Sequence, residues 1–176
     1  MAGRHHTLVV IRHAKAERTA VHDHDRTLTT RGRDDAAALA PVVGEVLATA
    51  ADGGSTVLVS SAARAVETWR LLGAGLPAEV HVDERVEPAL YGASSDEVAG
   101  LVRGLGDDVD TAVVVGHNPG LEDAVRDLAA DGAPDAMARL HEGMPTASAA
   151  VLAHEGSWSD LRSGSCRLES VAVCRA

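Results

Sequence analysis

The sequence predicts an α/β fold, with helices on both faces of a mostly parallel central sheet in a three-layer α/β/α sandwich. Three short runs rich in β-branched and other apolar residues, at 7–12, 56–60 and 111–115, are typical of strands that are buried on both faces. Helical patterns separate these runs along the chain. Strands that alternate with helices in this way favour a parallel sheet.

The remaining elements follow from periodicity and from turn residues. Two later segments, 147–154 and 167–174, are predicted as strands. Pro41 is expected to interrupt the first helix, because proline cannot donate a backbone hydrogen bond. The predicted helices span residues 29–50, 62–73, 95–104 and 119–131.

Length and composition indicate one globular domain over residues 1–176. The chain has no linker, internal repeat or low-complexity block, and 176 residues are enough to bury a substantial core. The apolar run near the start is too short for a signal peptide or a membrane span. Cys166 and Cys174 do not resemble a disulfide framework or a zinc site. We therefore expect a cytoplasmic protein, with His5 and His6 in a mobile terminus.

Charge and aromatic content argue against two classes of partner. The formal net charge is −10, and aromatic residues make up only 2% of the chain. Nucleic acids and anionic membranes attract proteins through broad positive potential, and single-stranded nucleic acids also use aromatic stacking surfaces. We therefore expect neither a nucleic-acid nor a membrane partner, although the charge total leaves room for a local basic pocket.

Charged and imidazole side chains follow each of the three predicted strands at its carboxyl end. Arg12 and His13 follow the first strand, Arg64 lies just beyond the second, and His117 follows the third. Ligands of open α/β sheets bind beyond the carboxyl ends of the strands, so these side chains are expected to share one site. Asn118 and Pro119 also have a local interpretation, as the N-cap and first residue of a helix.

This set of residue types suits phosphoryl transfer. Arginine supplies forked donors that match phosphate oxygens, and catalysis of this reaction is mostly positioning and electrostatic stabilisation. A neutral imidazole can attack phosphorus and form a covalent phosphohistidine, which divides the reaction into two easier steps. We therefore expect a phosphate anion to bind in the pocket.

Three motifs, in the right order, resemble the histidine phosphatase (phosphoglycerate mutase-like) superfamily. They are VVIRHAKAE near the start, LVSSAARAVETW in the middle and VVVGHNPGLE late in the chain. Within the superfamily, RHAKAE, DRTLTTRG and the short length are most similar to the SixA-type phosphohistidine phosphatases. The resemblance spans roughly residues 7 to 130 and implies a phosphoglycerate mutase-like fold.

The resemblance also implies roles for individual residues. His13 would be the nucleophile that becomes phosphorylated, Arg12 and Arg64 would bind the phosphoryl oxygens, and His117 would complete the pocket. Arg26 would lie near the rim of the pocket. Its alternative interpretation is a structural ion pair with Asp23 or Asp25.

The remaining residues bear on three further questions: the general acid, a metal ion and a cofactor. Glu87 is the nearest candidate for the acid that larger superfamily members use to protonate an alkoxide leaving group. The sequence HDHD at 22–25 resembles a metal-ligand cluster but has no second cluster at a recognisable spacing, so we expect a solvated loop and no metal. Phosphate-binding glycine motifs are absent, and we expect no cofactor.

The sequence therefore predicts a metal-independent phosphatase that removes phosphate from phosphorylated histidine on a partner protein, such as a phosphotransfer domain. A weak or absent acid favours this substrate, because a protonated phosphohistidine ring can leave as neutral imidazole. Two alternatives remain open: a phosphatase of small phosphomonoesters such as sugar phosphates, and a catalytically silent phosphohistidine-binding module.

Overall fold

Seven strands form one sheet in the computed structural model, which describes residues 4–49 and 53–176. Their order across the sheet is β3-β2-β4-β1-β6-β7-β5. The strands are β1 (His5–Arg12), β2 (Gly54–Ser60), β3 (Asp83–Glu87), β4 (Val109–Gly116), β5 (Ala129–Gly132), β6 (Ser148–Glu155) and β7 (Cys166–Val173).

Helices cover both faces of the sheet, which makes the three-layer arrangement that the sequence predicts. Alternating side chains of the central strands separate into two buried clusters: Leu8 and Val10 of β1 pack with one set of helices, and Val9 and Ile11 pack with the other. The helices α4 (Ser95–Arg103), α5 (Gly120–Leu128) and α6 (Pro134–Glu142) contribute to the first cluster, and α1 (Thr30–Ala37), α2 (Ala40–Ala48) and α3 (Ala63–Gly73) contribute to the second.

The sheet is mostly parallel, as predicted. The pairs β1–β4, β2–β4, β2–β3 and β5–β7 are parallel, whereas β6 runs antiparallel to both of its neighbours. In the central pair Arg12 lies opposite Gly116, so β1 and β4 end at the same edge of the sheet. Because β6 is antiparallel to β1, its first residue, Ser148, also lies opposite Arg12.

The predicted break in the first helix is present. Helix α1 ends at Ala37 and α2 begins at Ala40, with Pro41 in its first turn, where the missing N–H group has no helical partner to lose. The last residue of the predicted helix, at position 50, lies outside the described residues.

The predicted helix over 119–131 is wrong at both ends. Helix α5 ends at Leu128, and the next residues form β5, which pairs with β7 at the sheet edge. Gly132 permits this pairing, since a Cβ there would collide with the carbonyl oxygen of Leu168. At the other end Pro119 occupies the cap position, and the Asn118 amide donates to the Glu122 carboxylate and to the Met144 carbonyl oxygen instead of capping a backbone N–H of the helix.

Two elements and one histidine were not foreseen. Strand β3 has the sequence DERVE at an exposed edge and shows no apolar alternation, and α6 follows β5, which overlaps the end of the predicted helix over 119–131. The expectation that His6 lies in a mobile terminus is wrong. Its side chain is buried in β1, contacts the carbonyl oxygen of Val109 through Nδ1 at 3.0 Å and packs on Trp158.

Within residues 4–49 and 53–176, no helix combines the length and the apolar character needed to cross a bilayer.

Candidate active site

The parallel register of three strands brings the predicted site residues to one edge of the sheet. Arg12 is the last residue of β1, and the backbone N–H of His13 donates to the carbonyl oxygen of Gly116 at the end of β4, at 3.0 Å. Ser60 ends β2, and Arg64 lies in the first turn of α3. The three segments therefore meet because their strands are neighbours in the sheet.

The ring of His13 has a defined tautomer. Its Nδ1 lies 2.7 Å from the carbonyl oxygen of Ala14, and a carbonyl oxygen can only accept, so Nδ1 carries the proton. The other nitrogen, Nε2, accepts a hydrogen bond from Nε of Arg64 at 3.3 Å. Burial and the nearby guanidinium groups of Arg64 and Arg12 lower the pKa of His13 to about 4. At neutral pH the ring is therefore uncharged, with a lone pair on Nε2.

His117 faces His13 across the site, with their ring centroids 5.1 Å apart. Its Nε2 lies 2.7 Å from the hydroxyl oxygen of Ser60, which fixes the plane of the ring. Burial, together with the cationic form of His13 and with Arg64, lowers the pKa of His117 to about 3. Its Nδ1 is buried and meets no hydrogen-bond partner among the described residues.

The loop before β6 holds Arg12 in place. The guanidinium of Arg12 donates from Nη1 to the carbonyl oxygen of Met144 at 2.7 Å, and the Asn118 amide donates to the same oxygen at 3.0 Å. The Glu122 carboxylate accepts from the Asn118 amide at 2.9 Å and from the Met144 backbone N–H at 2.9 Å. Asn118 and Glu122 of the HNPGLE motif thus fix the loop that fixes Arg12.

Asp23 accepts hydrogen bonds from three side chains around the site. Arg64 donates to its carboxylate at 3.0 Å and to its carbonyl oxygen at 2.7 Å, Arg26 donates at 2.8 Å, and the Tyr91 hydroxyl donates at 2.9 Å. These bonds, first from Arg26 and then from Tyr91, hold the pKa of Asp23 well below its usual range. Asp23 is therefore ionised, and it orients Arg64 beside His13.

The structure brings together Arg12, His13, Arg64 and His117 around one pocket, and Glu87, opposite Ser60 on the neighbouring strand, is not among the residues that line it. Glu87 ends β3, and its carboxylate accepts the backbone N–H of Ala89 at 3.1 Å, without lining the pocket.

Arg26 both lines the pocket and forms the ion pair with Asp23, so its two interpretations are compatible. The sequence reasoning did not foresee the contact of Asp23 with Arg64, nor any part for Tyr91. Tyr91 is the single tyrosine of the chain, but no local pattern connects it with Asp23.

The HDHD segment does not form a metal centre in the described parts of the chain, where no group of three or more potential ligand side chains is placed to hold a metal ion. Its Asp23 binds arginines, and the ring nitrogen Nε2 of His24 lies 3.0 Å from the hydroxyl oxygen of Ser61.

A pocket of about 510 Å³ opens over these residues. It is much larger than one phosphoryl group and falls in the usual range of small-molecule sites, ~300–1,000 Å³. The lining residues are Arg12, His13, Lys15, Ala16, Arg18, Arg26, Arg31, Asp35, Arg64, His117, Asn118, Thr146 and Arg175.

Comparison with known proteins agrees with this geometry. The family model of the histidine phosphatase superfamily (branch 1) matches residues 8–158, which include Arg12, His13, Arg64 and His117. The chain belongs to the histidine phosphatase superfamily. One relative is the uncharacterized protein Rv1276c of Mycobacterium tuberculosis (strain ATCC 25618 / H37Rv), which is 34% identical over 168 residues covering 94% of this chain and 100% of the relative.

Solved structures share the histidine phosphatase fold over nearly the whole chain. A protein of Nakamurella multipartitia assigned as phosphohistidine phosphatase SixA is 28% identical, with a TM-score of 0.78 and 100% of both chains covered. A complex of the protein histidine phosphatase SixA with tungstate has a TM-score of 0.68 at 22% identity, covering 95% of this chain and 96% of that one.

The predicted phosphoglycerate mutase-like fold is confirmed. The phosphoglycerate mutase of Plasmodium falciparum has a TM-score of 0.59 at 15% identity, covering 98% of this chain and 93% of that one. Since one fold serves both a mutase and a phosphatase, the substrate must be argued from the site.

Proposed function

We propose that this chain is a phosphohistidine phosphatase, which removes phosphate from phosphorylated histidine on a partner protein through a covalent intermediate on His13. The observation that carries the proposal is the hydrogen bond from Nδ1 of His13 to the carbonyl oxygen of Ala14. This bond leaves the lone pair on Nε2, and an imidazole with such a lone pair is a nucleophile for phosphorus.

In the first step, Nε2 of His13 attacks phosphorus while the bond from phosphorus to the substrate nitrogen breaks. The electron pair of that bond leaves with the substrate imidazole. Arg12 and Arg64 bind the phosphoryl oxygens, and His117 donates a hydrogen bond to one of them. Donors that are fixed in advance stabilise the charge of the transition state without reorganisation.

In the second step, a water molecule attacks the phosphorus of phospho-His13. The phosphorus–Nε2 bond breaks, its electron pair returns to Nε2, and both protons of the water molecule leave with the phosphate as dihydrogen phosphate. The Ala14 carbonyl retains its hydrogen bond with Nδ1 throughout, so the ring returns to the same tautomer for the next cycle.

The carboxylates near the site favour phosphohistidine over an alkyl phosphate. Asp23 is held ionised by Arg26, Tyr91 and Arg64, so it has no proton to give to an alkoxide. Glu87 accepts a backbone N–H and does not line the pocket. A phosphohistidine ring protonated on its other nitrogen needs no such acid, because it leaves as neutral imidazole.

The proposal also covers the domain organisation, the cellular location and the cofactor requirement of the protein. The chain works as one domain over residues 1–176, in the cytoplasm, in signal transduction by phosphohistidine, and without a metal or another cofactor. We expect hydrolysis to continue in EDTA; a strict metal requirement would contradict this part of the proposal.

The test compares two substrates: a phosphorylated histidine-phosphotransfer protein and p-nitrophenyl phosphate. We expect the phosphoprotein to be hydrolysed with the higher kcat/KM, as followed by ³¹P NMR for the first substrate and by absorbance for the second. A preference for the ester would favour the phosphomonoester alternative. Binding of the phosphoprotein without turnover would favour the silent binding module.

The nucleophile is tested in the same assay with His13→Asn. We expect kcat to fall on the order of 10³-fold or more, and no phosphoenzyme to form. The matched control is His81→Asn, since His81 is exposed and distant in sequence from every residue of the pocket. Unchanged turnover in His13→Asn would overturn the proposed mechanism.

A further inference from the structure

The reaction pocket contains more positive charge than one phosphoryl group requires. Besides the residues of the proposed mechanism and Arg26, its lining includes four cationic side chains, which we call the cationic wall. These are Lys15, Arg18, Arg31 and Arg175. Asp35 is the one carboxylate residue among the described residues that line the pocket.

This concentration of charge contrasts with the rest of the molecule. The chain has 16 lysines and arginines against 26 aspartates and glutamates, and its formal net charge is −10. Seven of the 16 cations nevertheless line this one pocket. A cleft lined by one sign of charge concentrates ligands of the opposite sign, even on a molecule whose net charge would repel them.

A close contact between the chain after β1 and helix α1 positions Lys15 and Arg31 of the cationic wall. The carbonyl oxygen of Lys15 accepts hydrogen bonds from the backbone N–H of Thr29 at 2.9 Å and from its hydroxyl at 3.2 Å. Gly32 makes the approach possible, because a Cβ at that position would collide with the same carbonyl oxygen. The contact places Arg31, next to Gly32, on the wall with Lys15.

The buried carboxylate of Asp35 positions Arg31 and Arg175 of the cationic wall. Its side chain is only 2% exposed, and it lies 3.7 Å from Nε of Arg31 and 3.7 Å from Nη1 of Arg175. It also accepts the backbone N–H of Ala176 at 3.1 Å. Arg175 donates in addition to the carbonyl oxygen of Thr146 at 2.7 Å, so its position on the wall is fixed from two sides.

Two of the four cations of the wall have no partner within the described residues, and the other two share one carboxylate. Within residues 4–49 and 53–176, the side chains of Lys15 and Arg18 form no hydrogen bond or ion pair, and both residues are exposed. Arg64 and Arg26, in contrast, are both bound to Asp23. Among the described residues that line the pocket, the four cations of the wall have one carboxylate, Asp35, to balance their charge.

We propose that the cationic wall is a second anion subsite, and that the substrates of this chain carry a further carboxylate or phosphate group beside the phosphoryl group that is removed. The inference rests on the proposed function, which assigns the first anion to Arg12, Arg64 and His117. The second group belongs either to acidic residues that flank a phosphohistidine or to a small molecule with two anionic groups.

The experiment uses matched substrates that differ in the second anion. One pair is a phosphohistidine peptide flanked by aspartate and glutamate or by alanine, and the other pair is a hexose monophosphate and the corresponding bisphosphate. We expect the wild-type chain to prefer the doubly anionic member of one pair by about tenfold in kcat/KM, from two partly exposed charge contacts. Preference within the peptide pair identifies a phosphoprotein, and preference within the hexose pair identifies a small molecule.

The variant Lys15→Ala/Arg18→Ala removes two wall cations whose side chains have no described structural partner. We expect it to reduce the preference to within about twofold, at low salt where surface charges are least screened. The matched control is Arg70→Ala/Arg139→Ala, which removes the same charge from exposed positions outside this pocket. The control is expected to keep the wild-type preference.

A binding measurement separates failure of this inference from failure of the proposed function. Calorimetry with inorganic phosphate and with pyrophosphate requires no turnover, and we expect tighter binding of pyrophosphate to be lost in Lys15→Ala/Arg18→Ala. If wild type shows no preference for the second anion in any arm, or if the double variant retains that preference, the subsite proposal is wrong, whatever the hydrolysis assays show.

Discussion

At the scale of single residues, the backbone decides which nitrogen of His13 can react. The carbonyl oxygen of Ala14 accepts the Nδ1 proton, and Arg64 donates toward Nε2. No sequence pattern indicates this tautomer, because it depends on the position of a carbonyl oxygen in the turn after β1. The position of Arg12 and His13 at the end of a strand did predict that they lie at the carboxyl edge of the sheet, where ligands of this fold class bind.

Asp23 provides a test of how Arg64 is oriented. In Asp23→Asn we expect kcat to fall about tenfold, because Arg64 loses its charged partner beside His13. The affinity for inorganic phosphate should rise severalfold, because one negative charge that competes for Arg64 and Arg26 is removed.

Steady-state kinetics with inorganic phosphate as inhibitor would measure both effects. Asp25→Asn is the control, since Asp25 lies in the same turn as Asp23 but pairs with His24. A parallel loss of kcat and of phosphate affinity would show that Asp23 merely maintains the local fold.

At the scale of elements, the three apolar strands were predictable and the edge strands were not. The strands β1, β2 and β4 are buried on both faces and therefore have continuous apolar sequences. Strand β3 is exposed and charged, and β5 has the sequence AADG, which favours helix or turn when read alone. Pairing with β7 overrides that local preference, and pairing partners cannot be read from a local pattern.

The contact of α1 with Lys15 predicts a specific effect of a single methyl group. In Gly32→Ala we expect the free energy of unfolding to fall by about 1–3 kcal/mol, because the new Cβ collides with the Lys15 carbonyl oxygen and the helix must move. Urea unfolding followed by circular dichroism would measure the change.

Gly73→Ala is the matched control for that change. Gly73 is the last residue of α3, and a Cβ there would have no atom within 4 Å. We expect Gly73→Ala to leave the stability unchanged or to raise it by up to about 1 kcal/mol. Equal effects of the two substitutions would contradict the proposed collision.

At the scale of the whole molecule, buried histidines make the stability depend on pH. Burial lowers the pKa values of His13, His117 and His6 in the folded state, whereas the unfolded chain retains ordinary values. Below pH ~6.5 the unfolded state therefore binds more protons, so stability is fully present above that pH and is lost as the pH falls toward 4.

We expect the free energy of unfolding to fall by about 2 kcal/mol for His13 alone between pH 6.5 and 4.5. Urea titrations at a series of pH values would measure this fall. His13→Asn should give a shallower dependence on pH, and His81→Asn should match wild type. A dependence that is the same in all three proteins would refute the assignment to His13.

The site at the strand ends was predictable from the sequence, whereas the cationic wall was not. The order of the strands places Arg12, Arg64 and His117 around His13, and that convergence follows from the rule for ligand sites in α/β sheets. The cationic wall combines the chain after β1, the start of α1 and the end of the chain, which are far apart in sequence. No local motif joins Lys15 with Arg175, so only the folded structure could reveal the wall.

The position of His13 at the ends of two central strands also determines how easily its backbone opens. His13 is anchored to β1 and β4, whose side chains fill both buried clusters, so its backbone should exchange amide protons only with near-global unfolding. Lys15 and Arg18 lie on a segment that leaves the sheet and is joined to the chain before α1 by a short ladder of backbone hydrogen bonds around the bridge between Ala16 and Leu28. We expect the amide protons of that segment to exchange through smaller local openings, at a rate well above that of His13, so the two sides of one pocket should differ in local stability.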